Sequence, residues 1–140
     1  YVHSDWKIAD DRVGHRMAYS YCFKKMRQAG IHISAGSDLS IESANPFDAI
    51  QVSVSRRDLS GMPEGGWYPE EKLDRLDALK LQTSYGAHVS FDEDRFGTLE
   101  SGKQANFVVV SDDVFAVPEQ AIKDIRVLAT YVDGQAVYTV

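Results

Sequence analysis

Ile31-His32-Ile33-Ser34-Ala35-Gly36-Ser37-Asp38 is the stretch on which the reading of this chain turns. Five residues that alternate apolar with small or polar side chains have the pattern of a strand. The run ends in Gly-Ser-Asp, and the end of a parallel strand is where α/β barrels carry their catalytic groups. Asp38 is therefore the leading candidate for chemistry. The plainer alternative is an Asp that caps the turn after Gly or Ser. Upstream, residues 16–29 read as one helix whose stripe is Tyr19, Cys22, Phe23 and Met26, with Gly30 as its stop. Helix, Gly, strand and Asp together make one αβ step of a barrel.

Working outward, residues 39–69 hold three Pro, Gly61 and Gly65-Gly66, the aromatics Trp67 and Tyr68, and a short helix-like run from Phe47 to Val54. A long connection at the catalytic end of a strand is expected to face substrate or form a lid, with a self-packed surface excursion as the alternative. Asp74 has the chemistry of a helix N-cap, with Asp77 three residues on and Leu73 and Ala78 spaced as a hydrophobic staple. That helix is expected to run through Leu79 and Thr83 to about His88. The remainder reads as β: Phe107–Val110 and Val127–Val132 are apolar and β-branched. Asp133-Gly134 before Ala136-Val137-Tyr138 is a strong hairpin signal. Strands are expected near 106–111, 126–132 and 135–139 in an antiparallel or mixed sheet.

These motifs, in this order, resemble those of the metal-dependent amidohydrolase superfamily, in particular its long-chain branch that includes N-substituted formamide deformylases. Gly36-Ser37-Asp38 is followed by Glu42 and Asn45-Pro46. Val52-Ser53-Val54-Ser55-Arg56 resembles an "A-V-x-R" segment, and Gly97-Thr98-Leu99-Glu100-Ser101-Gly102-Lys103-Gln104-Ala105-Asn106-Phe107-Val108-Val109-Val110 resembles "G-S-L-x-x-G-K-x-A-D-F-V-V-L". Arg12, Gly14 and Arg16, spaced R-x-G-x-R, resemble "R-x-G-x-x-R" one residue short. Asn106 in place of Asp and Ser40 in place of Pro depart from the pattern without touching Asp38.

The resemblance implies a C-terminal fragment of a (β/α)8 barrel plus strands of a small β-sandwich. Residues 1–92 would be the last αβα elements of the barrel and 93–140 the sandwich segment. A complete barrel needs about 250 residues, so this 140-residue chain is expected to be the C-terminal part of a larger enzyme, silent by itself. The implied activity is hydrolysis of a non-peptide C–N bond, amide-like, linear or cyclic. It uses water activated by one or two divalent ions, expected to be zinc, with Asp38 as ligand and base. The implied partners are a small-molecule substrate and the N-terminal part of the same chain. A non-catalytic binding or regulatory member of the same fold is the competing expectation, and a homo-oligomeric state is left open.

The other family ligands, an H-x-H pair and further Lys or His positions, have no counterpart in His3, His15, His32 or His88. His3 falls where the resemblance implies the end of strand seven and is a candidate substrate contact, or a loop histidine. Arg16 and Arg56 match positions near the mouth, where a guanidinium fork can hold a substrate oxygen; structural ion pairs are the alternative for both. His32 is expected to be a hydrogen-bonded strand histidine and His15 a surface one.

Bulk properties narrow the partners. Fifteen Lys and Arg against twenty-one Asp and Glu give a net charge of −6, with no basic stripe, so nucleic acid and anionic membranes are not expected. No apolar run approaches a membrane span. The lone Cys22 rules out an intrachain disulfide and suits a reducing cytoplasm. It sits without a nearby His, which argues against a thiol nucleophile. No Gly trails Ser37 to make a serine elbow, and Gly65-Gly66 lacks the Lys of a phosphate loop.

Overall fold

The computed structural model describes residues 2–140. The chain opens with α1 (Val2–Val13), which passes into a 3-10 helix (Gly14–Tyr19). The single helix expected over 16–29 is thus two pieces. The 3-10 helix ends at Tyr19, and α2 (Phe23–Gln28) starts after a break at which Tyr21 has φ of +52°. The break is tertiary in origin. The Tyr21 hydroxyl donates to Asp5 of α1 at 2.6 Å, and its ring lies 5.1 Å from that of Trp67. Tyr19, expected on the buried stripe, is 83% exposed as a result. Gly30, at φ +77°, does end the helical stretch.

Ile31 to Ser37 forms no strand. A strand exists through a neighbour that pairs with it, and among the described residues none lies beside this segment. Its backbone bonds run instead from Ile31 N–H to Met26 O, from Ala35 N–H to Leu81 O and from Glu42 N–H to Ser37 O.

The next helix, α3 (Pro46–Ser55), begins as its sequence dictates. Asn45 is the N-cap, accepting from Phe47 N–H at 3.2 Å, and Pro46 occupies the first turn, where its missing N–H is harmless. α3 serves two apolar clusters at once. Phe47, Ile50 and Val54 join Leu73, Ala78, Leu81, Ile122 and Ile125, while Val52 on the other side joins Val2, Ala9, Met17 and Trp67. Gln51, buried on α3, accepts from Lys123 N–H at 3.0 Å and fastens the 3-10 helix Glu119–Asp124 to it.

Asp74 caps α4 (Arg75–Leu81), accepting from Asp77 N–H at 2.7 Å, and Leu73 and Ala78 are both buried in the first cluster, as a staple should be. The helix does not continue to His88. It breaks at Gln82 and Thr83, and α5 (Ser84–Val89) follows as a separate short helix.

The strands fall where the sequence put them. β1 (Phe107–Val110), β2 (Val127–Val132) and β3 (Gln135–Thr139) form one antiparallel sheet in the order β1-β2-β3. Asp133 and Gly134 have φ of +51° and +77°, the positive pair that a type I′ turn needs. Asn106 has a clear task here, since its side-chain oxygen accepts from Asp133 N–H at 2.8 Å and holds the turn. Phe107 and Tyr131 face each other across the ladder with stacked rings 4.5 Å apart.

Two buried carboxylates knit the loops. Glu71 accepts from Lys24 and Lys25 N–H and pairs with the Lys25 ammonium at 2.9 Å. Burial pushes its carboxyl up, but these donors outweigh that and leave it below the usual range. Asp58 Oδ1 accepts from Ser60 N–H (2.9 Å), Ser60 Oγ (2.6 Å) and Met62 N–H (3.0 Å), and its Oδ2 from Trp6 Nε1 (3.2 Å). Burial again acts upward, and the four donors prevail, holding the carboxyl at about 2.

Candidate functional site

A cavity of about 350 Å³ opens beside the Gly-Ser-Asp segment. Residues 33–37 form one wall, Val2 and His3 of α1 a second, Phe23 and Met26 of α2 a third, and Ala49, Val52 and Ser53 of α3 with Leu81 of α4 close it. Glu42, Ser43 and Asp48 add polar groups. An apolar pocket with a few convergent polar groups suits a small, largely uncharged ligand.

Asp38 follows directly on the lining residue Ser37 and is exposed. Its φ is +47°, a conformation that Asp tolerates better than most side chains. The turn after it is closed by Ile41 N–H donating to Asp38 O at 2.7 Å and Glu42 N–H to Ser37 O at 3.2 Å. Asp38 therefore stands on an ordered turn at the end of the segment, and no paired strand leads there.

His3 is found in the first turn of α1, on the cavity wall. Its Nε2 lies 3.7 Å from Glu42 Oε2. Arg16 is exposed on the 3-10 helix, where its Nε donates to Val13 O at 3.5 Å, and it does not line the cavity. Arg56 is also off the cavity and is 1% exposed. It adopts the left-handed conformation that ends α3, its Nε donates to Trp67 O at 2.9 Å and its Nη1 to Tyr21 O at 3.2 Å, and the guanidinium lies 5.4 Å from the Trp67 ring centre. Burial lowers its pKa from the usual guanidinium value. This geometry favours the structural alternative for Arg56, with backbone carbonyls where ion pairs were expected.

His15 is exposed, as expected. His32 is not a pleated-strand histidine: it is exposed and stacks on His88 with ring centres 4.0 Å apart, while His88 Nδ1 meets Glu93 Oε1 at 3.1 Å. Among the described residues, no three His, Cys, Asp or Glu side chains are gathered so as to hold a metal ion. The described residues do not make a metal centre by themselves. No helix among them is long and apolar enough to cross a membrane.

The contact that sequence reasoning missed is Glu42. Its carboxylate crosses to α1, where Ser4 Oγ donates to Oε1, linking residues 38 apart in the chain. Nothing in its local sequence signals that reach.

The sequence profile of the amidohydrolase family matches residues 2–138. The Bacillus subtilis protein YtcJ is 31% identical over 139 residues, covering 99% of this chain and 26% of its own length. Protein LONG AFTER FAR-RED 3 of Arabidopsis thaliana is 32% identical over 121 residues (85% of this chain, 20% of that protein). N-substituted formamide deformylase of Arthrobacter pascens is 31% identical over 111 residues (79% of this chain, 20% of that protein). The chain thus spans a fifth to a quarter of the length of these curated relatives. The crystal structure of an amidohydrolase from Thermotoga maritima MSB8 superposes with a TM-score of 0.59 at 24% identity, over 85% of this chain and 26% of that one.

Proposed function

Because this chain belongs to the amidohydrolase family, we propose that it is the C-terminal part of a hydrolase that cleaves a C–N bond other than a peptide bond in an amide-like small molecule, linear or cyclic. The observation that carries this reading is Asp38, set on a closed turn at the end of the Gly-Ser-Asp segment beside the cavity. A divalent metal, which we take to be zinc as one or two ions, supplies Lewis acidity and an acidified water when bound. This chain brings Asp38 to it. The Asp38 carboxylate accepts the proton of the attacking water and returns it to the leaving nitrogen, so that C–O forms, C–N breaks and the products are a carboxylic acid and an amine. His3 on the cavity wall is the substrate contact; Arg16 and Arg56 stand off the cavity and are not assigned to it. The rest of the barrel is the N-terminal part of the same protein, and the reduced Cys22 suits a cytoplasmic location.

The test is Asp38→Asn in the full-length protein, assayed with para-nitroformanilide. Turnover should fall by about 10²–10⁴-fold or more, the range of a lost general base, with an unchanged melting temperature. Near wild-type turnover would remove Asp38 from the mechanism. The second reading is a non-catalytic binding or regulatory member of the same fold. It is favoured if the folded, metal-supplemented full-length protein hydrolyses no member of a panel of formamides, anilides and cyclic amides.

A further inference from the structure

The turn between β2 and β3 is held from outside the hairpin. A two-residue hairpin loop pairs its flanking residues, here Val132 with Gln135, and leaves the N–H groups of its own two residues to water. In this hairpin both are taken. Asp133 N–H donates to Asn106 Oδ1 at 2.8 Å, and Gly134 N–H donates to Ala105 O at 3.0 Å. The segment that leads into β1 thus lies along the turn, with Ala105 Cβ 3.8 Å from where a Cβ on Gly134 would stand. Asp133 itself is exposed.

Asp followed by Gly is a reactive pair, because glycine has no side chain to shield its nitrogen from the carboxyl group before it. The Gly nitrogen attacks Cγ of the Asp: N–Cγ forms, Cγ–OH breaks, and the hydroxyl leaves as water with the amide proton. Water then opens the resulting imide ring at either carbonyl. Breaking N–Cγ restores Asp, whereas breaking the bond from N to the main-chain carbonyl carbon leaves isoaspartate, in which the chain runs through Cγ. Water is the only other reactant. We propose that Asp133 is a site of this self-modification and that Ala105 O and Asn106 Oδ1 restrain it. The ring closes only when Asp133 and Gly134 leave the geometry in which both N–H groups are held, so each of the two bonds adds to the barrier. Isoaspartate places an extra carbon in the main chain between β2 and β3, and the pairing of Val132 with Gln135 cannot keep its register across it. The proposal uses only the hairpin and stands apart from the hydrolase reading.

To test this, the full-length protein is incubated at neutral pH in heavy-oxygen water, folded and in urea. Peptide mapping then reads residue 133 for isoaspartate and for the labelled oxygen that each ring opening leaves there. Folded wild type should convert about 25-fold more slowly than the unfolded chain, the combined worth of two uncharged hydrogen bonds. Asn106→Ala should speed conversion in the folded protein about fivefold, the worth of one. Asn106→Asp keeps an acceptor oxygen and should stay within about twofold of wild type. Melting temperatures report the fold; if Asn106→Ala does not fold, the comparison of folded with unfolded wild type decides. Equal rates folded and unfolded, no isoaspartate at 133 in urea, or a folded Asn106→Ala that converts no faster than wild type would overturn the proposal.

Discussion

Asp58→Asn should cost stability at neutral pH and almost nothing in acid. The carboxylate collects four donors from the 58–62 loop and from Trp6 of α1, and they hold it at about 2 against an ordinary 3.8. A depressed pKa contributes stability that is complete above the unfolded value and disappears as pH falls through the folded one, here between about 4 and 2. The difference, 3.8 − 2, is about 1.8 units, which at roughly 1.36 kcal/mol each gives about 2.4 kcal/mol before screening. Solvent near the loop reduces this to about 1–2 kcal/mol. Asn keeps an oxygen for the loop but turns an N–H toward Trp6 Nε1–H, so the variant should lose that amount at about pH 7. Urea titration followed by tryptophan fluorescence, repeated at two protein concentrations and at steps from about pH 7 to pH 2, should show the gap between wild type and variant closing in acid. A gap that stays constant over that range, or a variant as stable as wild type at neutral pH, would refute the assignment of Asp58 as the charged staple of this loop.

Gly66→Ala should destabilise the chain by about 3 kcal/mol and Gly134→Ala by only about 1 kcal/mol in the same titration. Both have positive φ, but a Cβ at 66 would lie 2.6 Å from Ser55 O while one at 134 meets only Ala105 Cβ at 3.8 Å. Similar losses at the two positions would count against the packing around Ser55. Ile122→Ala, at 0% exposure in the first apolar cluster, should cost about 2–5 kcal/mol, and a loss under about 1 kcal/mol would mean that this cluster is loose. The isolated 140-residue chain should hold a divalent metal weakly and run above monomer mass. Its described residues gather no group of three metal-ligating side chains, and the outer edges of β1 and β3 are unpaired within the sheet. Stoichiometric zinc on a monodisperse monomer, by metal analysis and light scattering, would overturn both statements.

Features specified within a few residues were legible in the sequence. The Asp133-Gly134 turn, the Asp74 cap with its Leu73–Ala78 staple and the three strands all depend on local chemistry, and all stand as read. What the sequence hid depends on distant neighbours. The break at Tyr21 is made by Asp5 and Trp67, and α4 stops at Gln82 with no Gly or Pro to announce it. Ile31–Ala35 alternates as a strand does, yet alternation describes a face and not a partner, and pairing is what makes a strand. The site divides in the same way. Asp38 is singled out by the local Gly-Ser-Asp pattern alone, whereas the burial of Arg56 and the reach of Glu42 to α1 come from segments 11 to 38 residues away.

Arg56 carries a consequence for how this fold tolerates sequence drift. Its guanidinium binds Trp67 and Tyr21 through their carbonyl oxygens, groups that every residue type supplies. Replacing either aromatic ring leaves both acceptors in place, so mutation of these neighbours can change ring packing without cutting the tie. The dependence runs one way. A Lys at 56 has a single ammonium in place of a fork and cannot span two carbonyls in the same geometry, so the junction of α3, the Tyr21 break and the Trp67 loop is robust to change in its partners and fragile at one codon.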